Sequence, residues 1–326
     1  MDVMRNRFLV GLAVLVAFVG VLWVAGPREP ASLRIDHQKI QIGDDIEAYL
    51  MADESRFDDI IAGVEKRVIW AGQPHQKSPV SLVYIHGFSA SSEEIRPVPD
   101  RVAKALGANL FFTRLTGHGR GSTAMAEANV AAWMQDVGEA LEIGRQIGDT
   151  VIVMATSTGG TLVAAAMQDP ASARAVEGIV FISPNFAIGA PSAALLTWPF
   201  ARHWVPLIVG EMRHTEPRNP LHARYWTTSY PSRALLPMAA LVAAVDQSDF
   251  SDVQVPALFY FCKDDKVVNP DATAKFLSRW GGPAKAVTVE MGVDDDQYSH
   301  LIAGDIVSPG QNDVAVRTIL DWIGGL

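Results

Sequence analysis

A single cysteine, Cys262, stands in 326 residues, which excludes an internal disulfide. No Cys/His cluster has zinc-ligand spacing, so a structural metal is equally unsupported. Charge is scarce, at 19 % Asp, Glu, Lys and Arg against 49 % hydrophobic residues. That balance excludes a disordered or extended polar chain and demands a folded core. Positive charge is scarcer still: 27 Lys and Arg face 36 Asp and Glu, and the net charge of −9 has the wrong sign for neutralising nucleic-acid phosphates. Internal repeats and low-complexity tracts are also missing.

Residues 8–26 carry no charge at all. At about 1.5 Å per residue, a helix of that length reaches about 28 Å, close to the hydrocarbon thickness of a bilayer. Arg5 and Arg7 precede it, so the positive-inside tendency puts the amino end in the cytoplasm and the folded domain on the extracytoplasmic, periplasmic side. The rival is a cleaved signal segment, which would leave a secreted or periplasmic protein. Trp23, Val24, Ala25 and Gly26 run straight into Pro27, which is a poor cleavage site. Residues 1–30 are therefore read as a membrane anchor or signal segment, and residues 31–326 as one domain.

From Ser81 onward, short β-branched or aromatic runs alternate with segments of helical period, the pattern of a parallel sheet flanked by helices. Strands are expected at residues 82–85, 110–113, 151–155, 179–183, 258–262 and 287–290. They are apolar on both faces, as strands covered on both sides should be. Val130, Trp133, Met134, Val137 and Leu141 recur at helical spacing, and residues 273–280 and 314–322 also read as helices. Residues 46–50 and 68–70 are expected to add antiparallel strands at one edge. Residues 186–251 break this rhythm: they hold seven prolines and aromatics such as Trp198, Trp204, Trp226 and Tyr230. A segment that long between two sheet strands is expected to be an inserted helical cap.

The sharpest local signal is Ala155-Thr156-Ser157-Thr158-Gly159, after an apolar strand and before a helix of small residues. A serine hydroxyl must stand clear of the backbone to be activated by a base, and a tight strand-to-helix turn achieves this. Small residues two places either side of Ser157 let such a turn form. Because the turn opens a helix, the amide of Thr158 is placed to donate to a developing oxyanion.

In this architecture an acid and then a histidine follow the serine, each on a loop after a later strand. The strand at 258–262 leads into Lys263-Asp264-Asp265-Lys266, where Asp265 is the expected acid and Asp264 its local rival. After the last strand, Asp296-Gln297-Tyr298-Ser299-His300 supplies the base, His300, with Asp296 as a further candidate acid. His86-Gly87-Phe88, after the strand at 82–85, supplies a second oxyanion amide, that of Phe88. His86 and His118 are read as structural, and Cys262 as a buried small hydrophobe.

With these residues in place, the chain resembles the α/β-hydrolase family, in its monoacylglycerol-lipase-like and serine-aminopeptidase-like branch. The likeness rests on His86-Gly87-Phe88, Leu115-Thr116-Gly117-His118-Gly119, Ala155-Thr156-Ser157-Thr158-Gly159, Asp265-Lys266-Val267-Val268 and Ser299-His300, and covers about residues 46–323. It implies an eight-stranded, mostly parallel sheet with helices on both faces, a cap after the sixth strand, no cofactor, and hydrolysis through an acyl-serine intermediate. A single glycine before Phe88 implies esters with linear acyl chains. Alanine at 155 departs from the family's commonest turn. The expected protein is a serine hydrolase of carboxylic esters, with a small-molecule ester or lipid as substrate and the membrane as a partner. Its alternatives are an acyltransferase or peptidase on the same fold, and an inactive membrane-tethered binding protein.

Overall fold

The structure, a computed structural model, describes residues 2–326. In chain order its elements are α1 (Asp2–Ala25), α2 (Ile46–Glu54), β1 (Arg67–Ile69), β2 (Ser78–Ile85), α3 (Val98–Leu106), β3 (Asn109–Phe112), α4 (Val130–Ile147), β4 (Gly148–Thr156), α5 (Thr158–Ala166), α6 (Pro170–Ala173) and β5 (Val176–Ile182). They continue with α7 (Ala201–Val209), β6 (Met212–His214), α8 (Pro220–Tyr225), β7 (Ser229–Pro231), α9 (Leu235–Asp246), β8 (Ala257–Phe261), α10 (Pro270–Leu277), β9 (Ala284–Thr288) and α11 (Asn312–Ile323).

Seven strands form one sheet in the order β1-β3-β2-β4-β5-β8-β9, parallel except for β1, which runs antiparallel to β3. Strand side chains alternate between faces, and the core divides accordingly. Val83, Ile85, Val153, Ala155, Phe181 and Phe259 pack with α4, α5, α9 and α10 on one face. Leu82, Tyr84, Met154, Ile182 and Tyr260 pack with α3 and α11 on the other. This explains why the strands read as continuous apolar runs. From β2 the chain crosses through α3 on one face to β3, then through α4 on the opposite face to β4. The carboxyl ends of β2 and β4 therefore flank the point where the winding reverses, the usual place for a binding crevice in an open α/β sheet.

Three sequence expectations shift. The sheet has seven described strands rather than eight, because residues 46–50 lie in a helix. There the Asp45 carboxylate accepts a hydrogen bond from Ala48 N at 2.9 Å and caps α2, and Ile46, Leu50 and Glu54 are buried at four-residue spacing. The final strand starts earlier than residue 287 and forms an edge, so its residues are largely exposed. α10 begins at Pro270, with the Asn269 side chain accepting from Asp271 N, a few residues before the expected start.

Between β5 and β8 the chain forms α7, α8 and a small antiparallel pair, β6 with β7, before α9. α9 belongs to the main core, where Met238, Leu241 and Val245 pack on the α4–α5 face. The part of this segment that lies off the sheet thus ends near Ala234. At the other end of the chain, α1 is long and apolar enough to cross a membrane, and none of residues 4–25 is buried.

Candidate functional site

β2 and β4 pair in register Ile85 with Ala155, so the turns that follow them, at residues 86–88 and 156–158, lie side by side. Ser157 sits at the sharp bend with φ 51° and ψ −118°, a conformation L-residues avoid. Backbone bonds hold it there: Ser157 N donates to Ile182 O at 2.9 Å, and Asn185 N donates to Ser157 O at 3.0 Å. Gly159 is required by contact, since a Cβ there would lie 2.5 Å from Ile85 O and 2.6 Å from His86 O. Alanine at 155 is accommodated because its methyl group faces the core beside Ile85, and the positive φ falls on Ser157 itself.

His300 is placed by the loop after β9, and Asp265 by the turn after β8. His300 Nδ1 donates to Asp265 Oδ2 at 2.7 Å, while Asp265 Oδ1 accepts from Val267 N at 2.8 Å and Val268 N at 3.0 Å. Asp265 is therefore locked by backbone donors with one oxygen left for the imidazole. Asp264, the rival, is exposed. Burial alone would make His300 harder to protonate, but the hydrogen bond and charge of Asp265, aided by Glu94 and Asp296, hold it above its ordinary value. Ser157 Oγ and His300 are not hydrogen-bonded to each other among the described residues, and both are 7 % exposed. Such contacts are often long before substrate binds.

Among the described residues, the Phe88 and Thr158 amides donate to no protein acceptor. Both belong to the two adjacent turns, and Thr158 N opens α5, where the helix dipole favours negative charge. Burial holds His86 neutral, well below its ordinary pKa, and His118 at about 4. His86 Nε2 accepts from Leu115 N at 3.1 Å and His118 Nδ1 meets Thr116 O, so both serve the packing of the turns beneath Phe88.

Asp296 does not reach the imidazole nitrogens. Its carboxylate accepts from the amides of Tyr298, His300 and Leu301, at 2.9, 3.1 and 2.8 Å, and pairs with Arg218 Nη1 at 2.6 Å. It shapes the loop that carries His300 and ties that loop to the segment before α8. The same segment packs over both sides of the site. Tyr230 meets Phe88 with ring centroids 5.4 Å apart, Trp226 packs with Ala90 and Leu301, and Thr227 N donates to Ser89 O at 2.8 Å.

Sequence reasoning missed two charged residues here, Arg218 and Glu94. Glu94 is 3 % exposed, and its Oε2 accepts from Gly87 N at 2.8 Å and from the Tyr84 hydroxyl at 2.9 Å. Neither residue lies in a periodic segment or a recognisable motif, so no local signal marks it.

The comparisons follow this geometry. A family model described as serine aminopeptidase, S33, matches residues 76–293. A thermostable monoacylglycerol lipase from Bacillus sp. (strain H-257) is 25 % identical over 195 residues, covering 60 % of this chain and 74 % of the lipase. Among solved structures, one reported for two metagenome-derived lipolytic enzymes has a TM-score of 0.63 at 20 % identity, covering 82 % of this chain and all of that one. A monoacylglycerol lipase of Paleococcus ferrophilus gives 0.56 at 16 % identity, covering 79 % and 97 %. A soluble variant of the Saccharomyces cerevisiae monoglyceride lipase gives 0.58 at 12 % identity, covering 79 % and 90 %. At these identities the structural likeness speaks for the fold.

Proposed function

For a chain that belongs to the serine aminopeptidase, S33, family, in the monoacylglycerol-lipase-like branch of the α/β-hydrolases, we propose a serine hydrolase that cleaves carboxylic esters with an apolar acyl chain. The observation that carries this reading is the 2.7 Å bond from His300 to a carboxylate already fixed by two amides, on the same sheet edge as a serine held at positive φ. In the proposed cycle, Ser157 Oγ attacks the acyl carbonyl carbon and His300 Nε2 takes its proton. Asp265 keeps Nδ1 protonated and stabilises the imidazolium, and the Phe88 and Thr158 amides hold the oxyanion. The tetrahedral adduct then collapses, and the leaving alcohol departs with the proton from His300. Water, deprotonated by the same nitrogen, next attacks the acyl-serine, releasing the acid and restoring Ser157.

The ester preference is supported by the names of the lipase relatives and by the aromatic side chains Trp226 and Tyr230, which pack beside Leu301 and Phe88. The full chain should hydrolyse p-nitrophenyl esters, with rates that rise with acyl length up to the limit of the pocket. A profile flat across chain lengths would remove the cap's assigned role. Ser157→Ala should lower kcat by roughly a million-fold if the three side chains act as a unit, and should abolish labelling by a fluorophosphonate. A Ser157→Ala protein that keeps its turnover would sink the reading. Product analysis with added alcohols and with aminoacyl amides separates hydrolysis of esters from acyl transfer and peptidase activity.

We also infer that residues 1–30 anchor the protein, with the domain of residues 31–326 on the extracytoplasmic side, and that the off-sheet part of residues 186–251 is its cap. Contacts between the end of α1 and this segment support the arrangement. The Trp23 and Trp198 rings lie 4.9 Å apart, Phe200 N donates to Pro27 O at 2.7 Å, and Arg202 makes two bonds of 2.7 and 2.6 Å to Glu29. Next to them α7 exposes Leu207 and Ile208 by 81 % and 72 %, as a helix resting on lipid would. Retention of the full-length chain in carbonate-washed membranes would be expected, and its release as a shortened soluble form would favour the signal segment.

A further inference from the structure

Glu94 is a deeply buried carboxyl near Ser157, 3 % exposed, that the proposed cycle does not use. Among the described residues no cation pairs with it: the neighbouring Arg96 is engaged by Glu93 and Asp100. A carboxyl left in that condition is costly unless its hydrogen bonds do something that an apolar side chain could not. Those bonds reach the turn at Gly87 directly and the turn at Ser157 through Tyr84. Oε2 accepts from the amide of Gly87, the residue before Phe88. It also accepts from the Tyr84 hydroxyl, whose oxygen meets Thr156 Oγ1 at 2.9 Å, directly before Ser157. The loop beyond His300 closes on the same point, for a Cβ on Gly304 would lie 2.8 Å from Glu94 O and from Ile95 Cα. Gly87 is confined between the two groups. A Cβ there would stand 2.7 Å from Glu94 Oε1 and 3.1 Å from Ser157 Cβ.

We infer that Glu94 is a positioning residue of the oxyanion turn: it fixes the Gly87 peptide so that the next amide, that of Phe88, faces the Ser157 hydroxyl, and through Tyr84 it locks Thr156 against the same turn. The inference rests on the serine-hydrolase reading above. The Glu94 bond holds the peptide that enters Gly87, and the contact of His86 Nδ1 with Gly87 O at 2.9 Å holds the peptide that leaves it, whose N–H is that of Phe88. An oxyanion donor is useful only when its direction is set before charge develops. Thr156, Tyr84 and Glu94 thus form a chain of bonds that couples the nucleophile turn to the oxyanion turn.

Two titratable groups face the carboxyl, Tyr84 from β2 and His300 from the loop after β9. Burial pushes Glu94 up to about 7, against the bonds from Gly87 and Tyr84 and the charge of His300, which pull it down. Its carboxylate in turn favours the His300 imidazolium. Removing that negative charge therefore moves the acid limb of kcat/KM to lower pH.

The test compares the full chain in detergent with Glu94→Gln, Glu94→Ala and Tyr84→Phe, on p-nitrophenyl butyrate and by the rate of fluorophosphonate labelling. Glu94→Ala should lower kcat about a hundredfold, the cost of losing one oxyanion donor, with KM within about threefold of the parent. Glu94→Gln retains a carbonyl acceptor for Gly87, so it should restore most of kcat while shifting the acid limb down by a few tenths of a pH unit. Tyr84→Phe should give a smaller fall in kcat. If Glu94→Ala does not fold, the Gln and Phe variants decide. The inference is overturned if kcat in Glu94→Ala stays within about threefold of the parent, or if Gln rescues nothing and leaves the acid limb in place. Failure of the underlying reading looks different, because the parent chain itself would then not label at Ser157.

Discussion

Around Ser157 the protein buries charge, and along α7 it leaves hydrocarbon in the open. Glu94, Asp265, Asp296 and His300 are all under 10 % exposed, whereas Leu207 and Ile208 are among the most exposed apolar side chains outside α1. Each region runs against the ordinary partition of side chains, and the contrast teaches which kind of surface each was shaped to meet. Buried charge around Ser157 is held by named donors, so its geometry is set by the fold itself. Exposed hydrocarbon on α7 joins none of the buried clusters among the described residues, and its helix begins among the residues that meet the end of α1. The segment between β5 and β8 touches both regions: Arg218 reaches Asp296, and Phe200 reaches Pro27.

The sharpest way to break this contrast is to remove charge from the buried side. Asp265→Asn keeps the shape of the side chain but offers His300 the wrong tautomer, and kcat should fall by about ten-thousand-fold. Asp264→Asn, one residue away and exposed, should leave kcat within about twofold of the parent. Equal losses in both would show that the bond between His300 and Asp265 does not organise the base. The same pair fixes the pH dependence. Asp265 raises His300 above its ordinary value, and in the proposed cycle His300 must be neutral to accept a proton, so the acid limb of kcat/KM in the parent should lie above pH 6.5.

A smaller effect is expected where the two regions meet. Arg218→Ala leaves Asp296 buried with three amides and no cation. The loop carrying His300 should loosen, lowering kcat about tenfold and Tm by a few degrees. An unchanged kcat with a lowered Tm would confine the ion pair to stability.

How much of this was legible in the sequence follows from how local each signal is. Ser157 and Asp265 each stand just past a buried apolar strand, and a strand followed by a turn is a contiguous pattern, whereas His300 lies at the far end of the loop after the exposed edge strand β9. The two-faced burial of the sheet was equally readable, because Val83 and Tyr84 carry their destinations in the period of the strand. Residues 46–50 misled because so short a segment, with apolar residues at both ends, fits either period, and the deciding feature was Asp45 capping α2. Glu94 and Arg218 were invisible for another reason. Their partners, Tyr84 with Gly87 and Asp296, are chosen by the packing of separate elements, which spacing along the chain does not encode.

On the open side, Leu207→Asp together with Ile208→Asp should leave turnover of a soluble butyrate ester unchanged, because neither side chain lies among the buried groups of the site. Turnover of a long-chain monoester embedded in phospholipid vesicles should fall several-fold, since charge on that face opposes entry into the interface. Equal rates on both substrates would detach α7 from the membrane and leave its exposed leucine and isoleucine without a role.

The smallest effect is a matter of stability alone. Glu94 has its folded pKa pushed up to about 7 by burial, whereas an unfolded glutamate ionises near 4.3. Below about pH 4 both states hold the proton and the residue costs nothing. As pH rises from there to about 7, the unfolded chain releases its proton while the folded one keeps it, so stability falls, and above 7 the deficit stays level. Glu94→Gln never ionises and should escape this loss. Its Tm should match the parent at pH 4 and exceed it by several degrees at pH 8, a shift readable by calorimetry. A carboxyl that weakens the fold at neutral pH is explained by the bonds it accepts from Gly87 and Tyr84, which an apolar side chain could not supply. Identical Tm values at both pH values would mean that Glu94 is better solvated than its surroundings imply.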